Sequence, residues 1–371
     1  MMLSTNQTSP LSIFVSRTDL ITCTCAYQSD ASGISSEMQR YLPSLRPGLR
    51  RVPWLGVTFA ALFLGLCPCF LPSASSPAVE MATTYMVGTS RIDVQVDDGP
   101  LQVSHQDLMQ WVQWAADSVK TYYGRYPVPE VRLRVIPTSG EGVRGGTTFG
   151  EDNGGFIRIH VGGGTNMADL ADDWMLTHEM VHLGFPSMTR NHHWIEEGIA
   201  TYVEPIARVR AGHLDVNEMW FELVRDLQQG LPQPGDQGLD NTHTWARTYW
   251  GGALFCFLAD VQIHKLTNNR KGLDDALRGI LDAGGDIRHD WQLTDTLRIG
   301  DQATGVSALL PLYDKMKDQP YDVDLPAMWK DLGVERTGNT VRFIDSAPLA
   351  KTRTAITYGT APPPNSTNNP K

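Results

Sequence analysis

Beyond residue 70 the chain contains a single cysteine, Cys256. The other four, Cys23, Cys25, Cys67 and Cys69, fall in a leading stretch expected to be absent from the folded body. An internal disulfide of the body is therefore excluded, and Cys256, set in the apolar "ALFCFLAD", reads as a small core residue and not as a nucleophile. Positive charge is also scarce. The 371 residues carry a formal net charge of −10, and residues 77 to 371 hold 26 Lys and Arg against 38 Asp and Glu, a balance that argues against a nucleic-acid partner. The glycine-rich stretch from Gly140 to Gly155 lacks the Gly-Lys-Ser/Thr ending of a phosphate loop, so it reads as a mobile loop or one at the edge of an active site. There is no internal repeat.

One long apolar run occurs early, from Val52 to Leu71. It follows Arg46, Arg50 and Arg51 and precedes the small residues Ser73, Ala74 and Ser75, the basic, apolar, small order of a secretory signal. The same run is long enough to span a bilayer as an uncleaved anchor. Either reading exports the body, whether periplasmic, secreted or membrane-anchored. Because signal peptides open a chain, Met38 reads as the true start. Residues 1–37 are then a mis-annotated extension, 38–76 a signal peptide or membrane anchor, 85–345 the body, and 346–371, ending in "YGTAPPPNSTNNPK", a disordered tail.

Within the body, "RIDVQV", "VRLRVI" and "GGFIRIHV" alternate as half-buried strands, and "HQDLMQWVQWAADSVKTYY" has helical apolar spacing. From Leu170 onward the apolar residues keep helical spacing through "MLTHEMVHLG", "WIEEGIATYVEPI", "VNEMWFELVRDLQ", "WARTYWGGALFCFLADVQIHKL" and "LDDALRGIL". The expected class is α+β, with a small β-sheet in the N-terminal part and a mainly helical C-terminal part.

The stretch "LTHEMVHLGF" carries the chemistry. A helix turns about 100° per residue, so His178 and His182 share one face and can bind one ion. Glu179 sits one step round the helix, within reach of a water on that ion without occupying it. This is the spacing of a zinc site in which a carboxylate acts as general base. Catalytic zinc sites commonly add a carboxylate to two histidines, and "HHWIEEGIATYVEP" supplies acids on a second helix. Glu196 and Glu197 are adjacent and point about 100° apart, so one of the two faces the metal.

The string from Trp194 to Tyr202 resembles the W-x-x-E-G-x-x-x-Y segment of gluzincin metallopeptidases, in the aminopeptidase N, leukotriene hydrolase and glycyl aminopeptidase branches. The resemblance implies a thermolysin-like catalytic domain holding one zinc, with Glu197 as the third ligand beside His178 and His182. It also implies a supporting acid at Glu204, holding a ligand histidine in its productive tautomer. Downstream, "RTYWGGALFCFL" resembles the family's Y-x-x-G-A helix, which makes Tyr249 the residue that assists the transition state. Gly251 and Gly252 in that helix suggest close approach to another backbone. The G-x-M-E-N strand motif that holds a substrate amine in the aminopeptidase N branch is missing. The nearest stretch, "RGGTTFGEDNGGFIRIHV", offers an edge strand for an extended peptide, and its Glu151 reads as a turn acid.

His192 and His193 read as solvent-exposed loop histidines, and Arg208 and Arg210 as surface charge or as partners for a substrate carboxylate. Two functions follow. The first is a zinc-dependent hydrolase of peptide or protein substrates. The second is an exported binding or scaffolding protein on a peptidase-like fold; retention of Glu179 speaks against it, since a structural metal site has no use for that base.

Overall fold

The computed structural model describes residues 22–24 and 79–359. The expected signal or anchor at 52–71 and the end of the expected tail lie outside them. No helix among the described residues is long and apolar enough to cross a membrane.

A six-stranded mixed sheet forms the first layer. It comprises β1 (Thr22–Thr24), β2 (Val79–Val87), β3 (Ser90–Asp97), β4 (Glu130–Thr138), β5 (Val143–Glu151) and β6 (Gly154–Gly162), in the spatial order β1-β5-β6-β4-β3-β2. The β3, β4 and β6 pairings are parallel; β1, β2 and β5 join antiparallel. Between β3 and β4 runs α1 (His105–Tyr123), started by Ser104, whose hydroxyl accepts from Asp107 N, and stopped by Gly124 at φ 76°. Alternation in the strands buries Ile92, Val94 and Val96 of β3, Val131, Leu133 and Val135 of β4, and Ile157, Ile159 and Val161 of β6, in one continuous core with α1.

The sheet differs from expectation in its outer strands. The glycine-rich stretch is a strand, β5, hairpinned to β6, because the backbone hydrogen bonds of Gly145 through Glu151 are taken up by β6. Within "RGGTTFGEDNGGFIRIHV" the outward strand is β5, which carries β1, while "GGFIRIHV" is interior to the sheet. Thr22–Thr24 pairs antiparallel with β5, and β2 begins at Val79, ahead of the expected start of the body at 85.

The second layer is helical: α2 (Met167–Ala171), α3 (Met175–His182), α4 (His193–Ala211), α5 (Val216–Asp226), a π turn (Arg247–Gly251) leading into α6 (Gly252–Thr267), α7 (Leu273–Asp282), α8 (Leu293–Thr304), α9 (Leu309–Met316) and α10 (Leu325–Leu332). A two-stranded hairpin, β7 (Val334–Thr337) and β8 (Thr340–Phe343), precedes α11 (Ala350–Tyr358). The central helix, α4, packs on α1, α3 and α6. Its crossing with α6 is set by glycine. A Cβ on Gly198 would lie 2.3 Å from the Gly252 carbonyl carbon, and one on Gly252 would lie 2.1 Å from the Trp194 oxygen, so neither position has room for a side chain.

The expected tail begins too early. α11 is bound to the body through Arg353, which donates to the Leu332 and Gly333 oxygens at 2.9 Å, and through Arg210, which donates to the Ile356 oxygen at 2.8 Å. Arg210 also pairs with Asp274 at 2.8 Å. It is thus a buried structural tie rather than surface charge or a substrate contact. Cys256 is buried, and burial pushes its thiol up, as a core residue requires.

Candidate active site

The site begins at the start of α3. Asp173 accepts from Met175 N at 3.0 Å and Leu176 N at 3.1 Å, so a carboxylate sits at the positive end of the helix, and Trp111 Nε1 anchors it at 2.9 Å. From that fixed start, His178 and His182 emerge one turn apart on the same side, their ring centroids 5.0 Å apart. Glu197, one turn into α4, meets both: its Oε2 lies 3.2 Å from His178 Nε2 and 3.7 Å from His182 Nε2. One ligand atom from each of the three residues falls within a 4.8 Å group, and all three side chains are buried.

Two imidazoles and one carboxylate converging in a buried site form a zinc-type donor set that leaves room for a further ligand. The local electrostatics match that use at His182 and Glu197. Burial drives His182 down to about 3, against the pull of Glu197, so it is held in the neutral form a metal requires. His178 goes the other way: burial opposes the shift, but its hydrogen bond to Glu197 and the charges of Glu197, Glu179 and Glu204 push it up. Glu197 stays ionised well below the usual carboxylate range, because His182, His178 and His193 outweigh its burial.

Glu179 points from the opposite flank of α3 toward β5. Thr148 Oγ1 lies 2.6 Å from Glu179 Oε2 and donates to it. A Cβ on Gly146 would lie 2.6 Å from both Cγ and Oε1 of Glu179, so the strand can close over this carboxylate only because that residue is glycine. The "GGTT" of β5 is therefore a fitted wall for Glu179.

Tyr249 reaches the same place through the π turn. Its ring stacks on His178 at 6.4 Å and 19°, and Trp245 stacks behind it at 5.6 Å and 26°. The expected regular helix from Trp245 is widened here, a feature that often accompanies functional positions. Arg247, buried in the turn, fixes it by pairing with Asp236 at 2.6 Å and donating to the Gly230 oxygen.

Glu196 turns away, as the 100° offset requires: its Oε1 accepts from Met188 N at 3.2 Å. Glu204 Oε1 accepts from Arg208 Nη1 at 3.0 Å, and burial outweighs Arg208 and pushes the Glu204 carboxyl up to about 7. Arg208 is therefore a buried partner of Glu204 and not a surface charge. Glu151, at the far end of β5, is paired with Arg132 across the sheet, which is a structural use.

His192 and His193, at the start of α4, are not solvent-exposed loop residues. His192 contacts the Tyr313 hydroxyl at 3.2 Å and lies 3.5 Å from Asp240. His193 lies 3.2 Å from Glu196 Oε2 through Nδ1 and 3.2 Å from Glu197 Oε1 through Nε2. Burial opposes its protonation, but Glu196 and Glu197 outweigh burial and hold it up at about 10. It therefore grips the oxygen of Glu197 that faces away from His178. The signal was present in the sequence, since His193 precedes Glu197 by one helical turn.

A cavity of about 470 Å³ opens beside His178 and Tyr249, walled by α4, α5 and the π turn.

No protein-family model and no curated protein matches the chain. Among solved structures, an aminopeptidase N family protein from Idiomarina loihiensis is similar, with a TM-score of 0.51 and 13% sequence identity over 68% of this chain and 49% of that one. An M1 zinc metallopeptidase from Deinococcus radiodurans aligns with a TM-score of 0.43 and 15% identity over 65% of this chain and 52% of that one. The chain spans about half the length of these structures. What it shares with the Idiomarina protein is a fold.

Proposed function

We propose that the protein is a zinc-dependent hydrolase of peptide bonds, with His178, His182 and Glu197 holding the metal. The observation that carries this reading is the convergence of those three buried ligands within 4.8 Å, beside a carboxylate, Glu179, held by its own strand. A zinc ion there would supply the Lewis acidity that polarises a scissile carbonyl and brings the pKa of a water toward ~7.

The chain's own residues supply the rest. Glu179 is the general base, taking a proton from the attacking water and passing it to the leaving amine. Thr148 fixes which of its oxygens faces the sheet. Tyr249 donates from its hydroxyl to the oxygen that becomes negative as the carbonyl is attacked. His193 neutralises and orients Glu197, and Glu204, held by Arg208, is the supporting acid for His178. A purely structural metal site would need neither Glu179 nor the wall fitted around it, which counts against the scaffolding alternative. The fold shared with an aminopeptidase N family protein supports the same reading. Export through residues 38–76 is part of the proposal, and N-terminal sequencing of the mature protein tests it.

Incubating the purified protein with a diverse peptide library, with and without a chelator, tests the function. Cleavage that the chelator abolishes and zinc restores is expected. Zinc retained with no cleavage of any peptide would transfer the protein to the scaffolding alternative.

A further inference from the structure

The cavity beside His178 and Tyr249 has an unbalanced lining. Six carboxylates face it, against two guanidinium groups, Arg208 and Arg225. Both arginines are already committed. Arg208 donates to Glu204 at 3.0 Å, and Arg225 donates to Asp226 at 2.9 Å. An anionic ligand would therefore find no uncommitted cation among the described residues that line the cavity.

Two carboxylates on successive turns of α5, Glu218 and Glu222, make neither a hydrogen bond nor an ion pair with any described residue; Glu222 is half-buried on the cavity wall and Glu218 is exposed at it. Burial pushes the Glu222 carboxyl up; Arg225 pulls against it, more strongly than the neighbouring charge of Glu218 pushes, with Arg208 and Asp226 adding smaller effects of each sign. An incoming cation would relieve that repulsion. Thr201 Oγ1, also on the wall, has no hydrogen-bond partner among the described residues.

The mouth is aromatic. Trp245 is 61% exposed and Trp174 47% exposed, unusual for tryptophan, and both line the cavity. Trp174 meets the His178 ring edge-on at 5.4 Å, which ties this mouth to the metal-ligand cluster. Indole faces leading to paired carboxylates form a path for an alkyl chain ending in a positive charge.

We infer that this cavity is the subsite for a cationic side chain, lysine or arginine, of the bound peptide, and that Glu218 and Glu222 select it. The inference rests on the proposed peptidase function, because it places the cavity next to the reacting bond. A neutral side chain of the same length leaves the two carboxylates repelling each other, and an acidic one adds to the repulsion, so discrimination follows charge rather than size.

Binding separates this inference from the reaction. The full chain is titrated calorimetrically with arginine amide and with citrulline amide, which has nearly the same shape without the charge. Arginine amide should bind at least ~10-fold tighter at low salt, with the advantage shrinking as salt is raised. In Glu218→Gln/Glu222→Gln the two affinities should fall within about twofold of each other, with Glu218→Gln alone in between. Unchanged melting temperatures of the variants guard against misfolding. Equal affinities in the unmodified protein, no measurable arginine amide binding, or a preference that survives in the double variant would each overturn the inference. Charge discrimination without cleavage of any peptide would leave the subsite standing and remove the peptidase reading instead.

Discussion

The hydroxyl of Thr148 donates to the carboxylate of Glu179 across 2.6 Å, from β5 to α3. The bond crosses from the sheet to the metal-ligand helix and is shielded from solvent, so it fixes the base before any substrate arrives. Thr148→Val keeps the shape and removes the donor. With the general base untethered, kcat is expected to fall by roughly tenfold, the order of one lost hydrogen bond to a charged group, while metal content and KM change little. A valine variant with unaltered kcat would take Thr148 out of the site.

The ligand set makes a second prediction. His178→Ala, His182→Ala and Glu197→Ala should each lose zinc on dialysis, because three protein ligands leave no spare. Glu196→Ala should keep it, since Glu196 caps Met188 N and contacts His193. Metal analysis of the four purified variants checks this; loss from Glu196→Ala with retention in Glu197→Ala would reverse the assignment.

Much of this was legible in the sequence, and the limits have physical causes. The histidine pair, Glu179 and the Glu196/Glu197 offset follow from helix geometry alone, and α1 matches its apolar spacing residue for residue. The "RGGTTFGE" strand was not legible, because glycine and threonine carry no apolar alternation; its pairing with β6 and its fit to Glu179 are tertiary facts. His193 was misread because it stands in a polar stretch, where only the position of the first turn of α4 brings it to Glu197. The C-terminal helix was hidden for a related reason. "AKTRTAITY" has few large apolar residues, and α11 is held largely by buried Arg353, Arg210 and Thr357.

Helix packing gives a third prediction. Gly198→Ala or Gly252→Ala inserts a carbon within 2.4 Å of backbone on the facing helix, so α4 and α6 must separate. The cost should be at least the ~1–3 kcal/mol typical of overpacking, lowering Tm by about 3–10 °C. Calorimetric melting of each variant checks this; an unchanged Tm would mean the helices meet less closely than described.

Tyr249 gives a fourth. Tyr249→Phe retains the ring stacked on His178 and Trp245, so fold and zinc content should survive. One lost oxyanion donor typically costs ~10²–10³ in kcat with little change in KM. If Tyr249 is only a packing residue, the phenylalanine variant will turn over within threefold of the unmodified protein, and Tyr249→Ala will mainly lower Tm.

The most direct test of the central claim is the turnover of Glu179→Gln, measured beside its zinc content on any peptide that the unmodified protein cleaves. Glutamine keeps the size of the side chain and its capacity to accept from Thr148, but it cannot take a proton from water. The variant should bind one zinc per chain, melt where the parent melts, and lose ~10²–10⁴ in kcat. Turnover within threefold of the parent, with zinc still bound, would contradict the assignment of Glu179 as general base and with it the proposed reaction.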